Sequence, residues 1–138
     1  MILSFYYVLI SLFIQTPSFE GKWVSVDDET GLEKSIISLY VENEKLYGRI
    51  ETLLLPEDKG KLCVNCQGSE LNTPIEGLVI LKGLTKDGEE WTGGTILDPA
   101  NGNEYSYTIY LNGPSEINVS GFIGFSLKKK KKKWKRFK

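Results

Sequence analysis

Short runs in which apolar and polar residues alternate, separated by turn-forming residues, dominate the sequence after residue 20. Successive side chains of a β-strand point to opposite faces, so this alternation is typical of half-buried strands. One face of the clearest run holds Tyr105, Tyr107, Ile109 and Leu111. No stretch after residue 20 has a helical period. The pattern therefore predicts an all-β protein.

Eight strands are predicted. They cover residues 21–26, 35–42, 45–54, 75–84, a run that begins at Trp91, a run that ends at Leu111, 116–125 and 131–137. Most connections are short turns, so we expect consecutive strands to pair in an antiparallel meander. Such a sheet leaves no unpaired edge strand when it closes into a barrel. We therefore predict one domain, an eight-stranded antiparallel up-and-down β-barrel.

The turn at residues 98–102 predicts a hairpin. The ring of Pro99 fixes its φ at a value that suits a turn, and Asn101-Gly102 tolerates positive φ. The strand before this turn loses its alternation at Gly93-Gly94, which predicts a β-bulge that bends the strand. Asp98 is the acidic residue that the pattern allows to point into the barrel. Its alternative role is to accept hydrogen bonds within its own turn.

The first residues form a separate apolar segment. Residues 2–14 are almost wholly apolar and precede Thr16-Pro17-Ser18. As a helix they would span about 20 Å, too little for a bilayer core of about 30 Å. We predict a signal peptide over residues 1–18, a mature domain over 19–138, and export to the periplasm or the exterior. Because no Lys or Arg precedes the apolar run, a buried N-terminal strand is the alternative.

The charges are unevenly distributed. The formal net charge is −1, but residues 128–138 contain nine of the 17 Lys and Arg and no acid, which leaves eight bases against 18 acids, or −10, in the rest. An acidic body argues against a nucleic-acid binder. The basic run is either a set of solvated side chains or a patch for an anionic surface such as lipid head groups.

Cys63 and Cys66 form a C-x-x-C pair in a long polar connection. An oxidising compartment favours a disulfide between them. A zinc site needs four ligands, and with two cysteines and no His the sequence does not suggest a metal. A redox C-x-x-C usually lies at a helix N-terminus, which lowers the thiol pKa, and no βαβ pattern is present here. We predict a structural disulfide that stiffens the connection locally, with modest stabilisation because the loop is short.

Few residues suggest catalysis. Without His there is no imidazole base and no Ser-His-Asp triad. No glycine-rich loop has the spacing that binds phosphate. A single carboxylate such as Asp98 lacks the partner that acid–base catalysis normally needs. We therefore expect no catalytic residues, no cofactor and no enzymatic activity.

Several motifs occur together in a family-specific order. They are Gly21-x-Trp23, Asp27-Asp28-x-Thr30-Gly31, Cys63-x-x-Cys66, Gly77-Leu78-x-Ile80-Leu81, Trp91-x-Gly93-Gly94-x-Ile96-x-Asp98-Pro99-x-x-Gly102-x-x-Tyr105 and Gly121-Phe122-Ile123-Gly124. Over nearly all of residues 21–136 the chain resembles DUF2147, a family of exported bacterial proteins of unknown function. The resemblance implies a lipocalin-like, calycin-type barrel that binds a small molecule or lipid.

Gly21-Lys22-Trp23 also resembles the Gly-x-Trp signature of lipocalins. This resemblance implies that Trp23 packs at the closed end of the barrel, beneath a basic residue of the last strand. Arg136 or Lys135 matches that residue. The run Lys128–Lys133 departs from the family pattern, which leaves the register of the last strand open.

The interior of an eight-stranded barrel is either filled by side chains or holds one small ligand. For a cavity, the inner-face positions predict a site for an apolar or amphipathic ligand at Leu39, Ile50, Val79, Trp91, Ile96, Tyr105 and Tyr107. Lys128 to Lys130, if near the rim, would pair with a carboxylate head group. The alternative function is an interaction module that contacts an anionic surface or a partner through the Lys-rich C-terminal segment.

Overall fold

The structure, a computed structural model, describes Tyr6, residues 18–122 and residues 129–138. Within these residues, eight strands form one closed antiparallel barrel in which each strand pairs with the next and the last pairs with the first. The strands are β1 (Gly21–Val26), β2 (Glu33–Glu42), β3 (Lys45–Leu53), β4 (Val79–Asp87), β5 (Glu90–Asp98), β6 (Asn103–Leu111), β7 (Glu116–Phe122) and β8 (Lys129–Arg136). The predicted up-and-down barrel is confirmed. No helix among the described residues is long and apolar enough to cross a membrane.

Strand β4 is the main correction to the predicted elements. Its predicted range of 75–84 becomes Val79–Asp87. Residues 75–78 form a turn instead, in which the N–H of Leu78 donates to the carbonyl of Ile75 and Gly77 has a φ of 95°. The predicted extension of β7 from Phe122 to residue 125 lies outside the described residues.

The hairpin between β5 and β6 has its predicted form. Asp98 Oδ1 accepts a hydrogen bond from the N–H of Ala100 at 3.0 Å, and the Asp98 carbonyl accepts one from Gly102 at 2.7 Å. Asp98 therefore stabilises its own turn. The pairing of β5 with β6 shifts register between Trp91 and Gly94, which confirms the bulge.

The barrel interior is packed in one half and open in the other. The packed half lies at the end where β1 begins. Its most completely buried side chains are Trp23, Leu39, Leu46, Leu81, Leu84, Ile109 and Ile117. Gly48 fits between two of them, because a Cβ there would lie 2.9 Å from Leu39 Cδ2 and 3.0 Å from Leu81 Cβ. Sequence left a filled barrel and a cavity as alternatives, and the structure contains both.

Arg136 covers Trp23 at the closed end. The buried Trp23 ring donates its indole N–H to the Phe19 carbonyl at 2.9 Å, and Arg136 Cζ lies 4.2 Å from the ring centroid. The guanidinium also donates to the carbonyls of Pro114 at 2.8 Å and Ser18 at 2.6 Å. One side chain thus joins the first strand, the turn before β7 and the N-terminal segment.

Lys135, the other basic residue considered for this position, is exposed. It pairs with Val24 in the ladder between β1 and β8, and its Nζ lies 3.4 Å from Glu33. The register of β8 is therefore fixed by Trp23 opposite Arg136.

The structure contains the predicted Cys63–Cys66 disulfide, and both cysteines are buried. It lies in the connection between β3 and β4, which also includes two 3₁₀ turns at Pro56–Asp58 and Gly68–Glu70. The proposed signal peptide over residues 1–18 lies outside the described residues except for Tyr6 and Ser18. It stays a prediction.

Trp23→Ala should lower the free energy of unfolding by about 3–5 kcal/mol, the range for removing a large buried aromatic side chain. Chemical denaturation monitored by circular dichroism measures this loss. Phe137→Ala is the control at the same end, because that ring is 45% exposed. The control should change stability by about 0.5 kcal/mol or less. Equal midpoints for wild type and Trp23→Ala would show that Trp23 is misplaced.

Candidate ligand-binding cavity

A cavity of about 540 Å³ occupies the open half of the barrel, at the end away from Arg136. Its deep wall is apolar. The residues of this wall on the inner faces of the strands are Ile37, Ile50, Leu53, Ile80, Ile96, Val119 and Trp134. Sites for small molecules typically measure about 300–1,000 Å³ and have mostly apolar walls with a few polar groups. The cavity can therefore hold one small ligand.

Two small residues contribute to the space. Ser25 and Ser35 face each other across β1 and β2, and their hydroxyls are hydrogen-bonded. The preceding inward position of β1 holds Trp23, and its ladder partner is Ile37. The change from a large ring to a hydroxymethyl group along one strand coincides with the change from packed to open interior.

Two tyrosines of β6 form an aromatic corner of the cavity. The rings of Tyr105 and Tyr107 meet edge to face, with centroids 6.0 Å apart. Gly121 lies opposite Tyr107 in β7, and a Cβ there would come within 2.5 Å of Tyr107 Cδ1. The Tyr105 hydroxyl accepts a hydrogen bond from Asn101 Nδ2 at 3.0 Å. Glycine at position 121 thus gives the Tyr107 ring room to lie against β7.

Burial raises the pKa of Tyr107, and the nearby Tyr105 and Asp98 raise it further. The phenol therefore stays neutral at physiological pH, since even an unperturbed tyrosine has a pKa of about 10. A neutral phenol can donate a hydrogen bond to a ligand as well as accept one.

Charged side chains surround the mouth. Of the described residues, those at the cavity with charge are Asp27, Asp28, Glu29, Asp58, Asp98, Lys34, Lys61 and Lys132. Lys61 lies 2.7 Å from Asp58, and Lys34 lies 3.8 Å from Asp27. Hydrogen bonds from the N–H groups of Thr30 and Glu29 lower the pKa of Asp27, which keeps this carboxylate charged. This part of the mouth is acidic overall.

The lysines that the sequence predicts at the rim are Lys128 to Lys130. Lys128 lies outside the described residues, and the structure describes only the strand pairing of Lys129 and Lys130. Among the described residues of this lysine-rich segment, Lys132 lies at the cavity, two residues before Trp134. Lys132 was missed because the lysine run has no alternation. Its inward position follows once Trp134 is known to be buried.

Four of the predicted ligand-binding residues line the cavity together: Ile50, Ile96, Tyr105 and Tyr107. Leu39 and Trp91 are interior residues at other levels. Leu39 is buried in the packed half, and Trp91 packs edge-on to Phe19 at the closed end, with ring centroids 6.3 Å apart. Periodicity predicted the face of these two residues but not their depth.

Val79 was placed on the wrong face. Between β3 and β4 the register shifts, so that Arg49 pairs with Val79 but Gly48 pairs with Leu81. The extra residue in β4 is Ile80, which lines the cavity in place of Val79. Such a bulge adds one residue to a strand and interrupts its alternation. The cavity residues Ile37, Ser25, Ser35 and Trp134 were also absent from the prediction.

Metal-binding clusters are not found in the part of the chain that the structure describes, since no group of three or more Cys, Asp or Glu side chains is suitably placed. Nor does any buried side-chain nitrogen or oxygen there lack a hydrogen-bond partner. The chemistry available at the cavity is therefore that of apolar contact, hydroxyl groups and surface charge.

Comparison with known families identifies the chain. The model of DUF2147, described as an uncharacterised protein conserved in bacteria, matches residues 21–136. The chain belongs to the DUF2147 family. A search of curated proteins gave no significant match.

A solved structure supports the fold of this DUF2147 protein. Protein HP1028 from the human pathogen Helicobacter pylori, described as belonging to the lipocalin family, superposes with a TM-score of 0.73. The two share 19% sequence identity, and the match covers 89% of this chain and 85% of that chain. At this identity the likeness shows the fold, a lipocalin-like barrel.

Tyr107 should ionise above the usual tyrosine pKa of about 10. Because the pKa of this phenol is higher in the native state than in the unfolded chain, its contribution to the free energy of unfolding is complete below the pKa of the unfolded chain. The contribution is lost as the pH rises through the pKa of the native state. A spectrophotometric titration of wild type and Tyr107→Phe isolates this phenol. A difference curve centred at or below the usual value would contradict the buried position of Tyr107.

Proposed function

We propose that this DUF2147 protein binds one small apolar or amphipathic molecule, such as a lipid or fatty acid, in the open half of its barrel. The observation that supports this proposal is the division of the interior. A fully packed barrel would be more stable through buried apolar contacts, yet here about 540 Å³ is left open behind an apolar wall.

The cavity has the polarity that an amphipathic ligand requires. Ile37, Ile50 and Ile80 lie on its wall, whereas carboxylates and lysines lie on the turns around its mouth. Burial of a hydrocarbon chain contributes about 0.8 kcal/mol for each methylene. The apolar part would therefore lie inside, and the polar end would lie among the tyrosines and the charged mouth.

We propose a binding protein rather than an enzyme, and an exported one, located in the periplasm or outside the cell. Supporting observations for export are the disulfide between Cys63 and Cys66 and the bacterial family. Disulfides persist in oxidising compartments and are rare in the cytosol. The apolar segment 2–14 agrees with this localisation.

The interaction-module alternative has less support. Lys133 lies 3.6 Å from Glu116 and Lys135 lies 3.4 Å from Glu33, so acids of neighbouring strands partly compensate these two exposed lysines. Exposed pairs of this kind are weak, at about 0–1 kcal/mol, so the compensation lessens the attraction of these lysines to an anionic surface without removing it. Salt-sensitive binding to anionic lipid vesicles, with no ligand in the barrel, would favour this alternative.

Ile80→Trp should weaken binding of a neutral fluorescent probe, N-phenyl-1-naphthylamine, by about tenfold or more, because the larger ring fills the cavity. Val79→Trp is the matched control, since the neighbouring side chain faces the other side of β4. Fluorescence titration measures both affinities, and circular dichroism checks the fold. Equal affinities for the two variants would contradict binding in the cavity.

A further inference from the structure

Residues 61–75 of the connection between β3 and β4 form a short, internally bonded strap. The N–H of Ile75 donates to the carbonyl of Lys61 at 3.0 Å, and the N–H of Cys63 donates to the carbonyl of Thr73 at 2.7 Å. The two ends of the strap therefore run side by side. The strap is an ordered unit rather than an extended loop.

The strap is seated on the hairpin between β5 and β6. Asn65 Nδ2 donates to the Ala100 carbonyl at 2.8 Å, and Cys63 Sγ lies 3.8 Å from the Pro99 carbonyl oxygen. The Asn65 carbonyl approaches Gly102 so closely that a Cβ at position 102 would collide with it. The contact between the strap and the hairpin thus requires glycine at position 102. This requirement is separate from the positive φ of Gly102 in its turn.

Both partners of this contact line the cavity. Lys61 and Ile75 belong to the strap, and Pro99 and Ala100 belong to the hairpin tip. The contact between them therefore closes one side of the mouth. The disulfide between Cys63 and Cys66 spans the turn that contains Asn65, so it fixes the residue that makes the seat.

We propose that the strap is a gate for the ligand. When seated on the hairpin it closes one side of the mouth, and its release sets the rate at which the ligand enters and leaves. The Cys63–Cys66 disulfide holds Asn65 in the seated position. This inference rests on the proposed function, since a gate requires a ligand in the barrel.

Two glycines provide a matched test. Gly102 and Gly113 have nearly the same positive φ, 75° and 74°. A Cβ at Gly113 would meet nothing within 4 Å, whereas one at Gly102 would strike the strap. Alanine at either position therefore imposes similar backbone strain, but only Gly102→Ala unseats the strap.

Stopped-flow fluorescence with N-phenyl-1-naphthylamine measures association and dissociation rates in the full chain. We expect Gly102→Ala to raise both rates by about tenfold relative to Gly113→Ala, with a smaller change in affinity, because opening precedes passage in both directions. Hydrogen exchange at the N–H groups of Cys63 and Ile75 should accelerate in parallel. These amides report the strap without any ligand.

Two further variants keep the test decisive if Gly102→Ala does not fold. Asn65→Ala removes the hydrogen bond to Ala100 without adding atoms, and the double variant Cys63→Ala/Cys66→Ala removes the disulfide. Both should accelerate probe exchange and strap hydrogen exchange. Ile117→Val, in the packed half, controls for general loss of stability and should leave the rates unchanged.

The outcomes separate the two proposals. If the wild type binds the probe but the strap variants exchange it no faster than Gly113→Ala and Ile117→Val, the gate is wrong and the proposed function stands. If the wild type binds no apolar or amphipathic probe, the proposed function is wrong and the gate is wrong with it. Faster probe exchange together with faster strap hydrogen exchange supports the gate.

Discussion

The contact of Arg136 with Trp23 is the constraint on which the barrel depends. It lies where the last strand pairs with the first, and this pairing closes a sheet that would otherwise have two open edges. A cation over an indole face contributes about 0.5–2 kcal/mol, and the guanidinium also hydrogen-bonds the Ser18 and Pro114 carbonyls. Because this end is closed and packed, the opposite end can remain open without loss of the fold.

The division of the interior connects stability to the proposed function. Large apolar side chains fill the packed half, and the strands continue past them into a region where Ser25 and Ser35 leave space. The packed half thus supports a cavity whose walls need not pack against each other. The pairing of β1 with β8 keeps this wall continuous around the cavity.

Much of the fold could be predicted from the sequence. Alternation and turn residues gave eight strands and closure, and the bulge at Gly93-Gly94 followed from a visible loss of phase. The bulge at Ile80 was missed because an apolar run has no alternation to interrupt. That local extra residue moved Val79 off the inner face, and no pattern within a single strand indicates such a register shift between two strands.

The candidate site was predicted only in part, and the residues that were missed have a related cause. Periodicity identified the inner face for Leu39 and Trp91, but depth along the barrel depends on how strands are staggered, which is a property of several strands together. The inward orientation of Lys132 can be inferred only from Trp134, because the burial of Trp134 shows which residues of the uniform lysine run point inward. The strap contact at Gly102 lies between segments distant in sequence, and turn chemistry explained the glycine without it.

The most direct test of the central claim is non-denaturing mass spectrometry of the protein purified from its native host. We expect a complex with one small molecule that separates on denaturation, and recovery of the same complex when the stripped protein is incubated with an amphiphile. Detection of the bare polypeptide alone, before and after incubation with neutral, anionic and cationic amphiphiles, would contradict a ligand in the barrel.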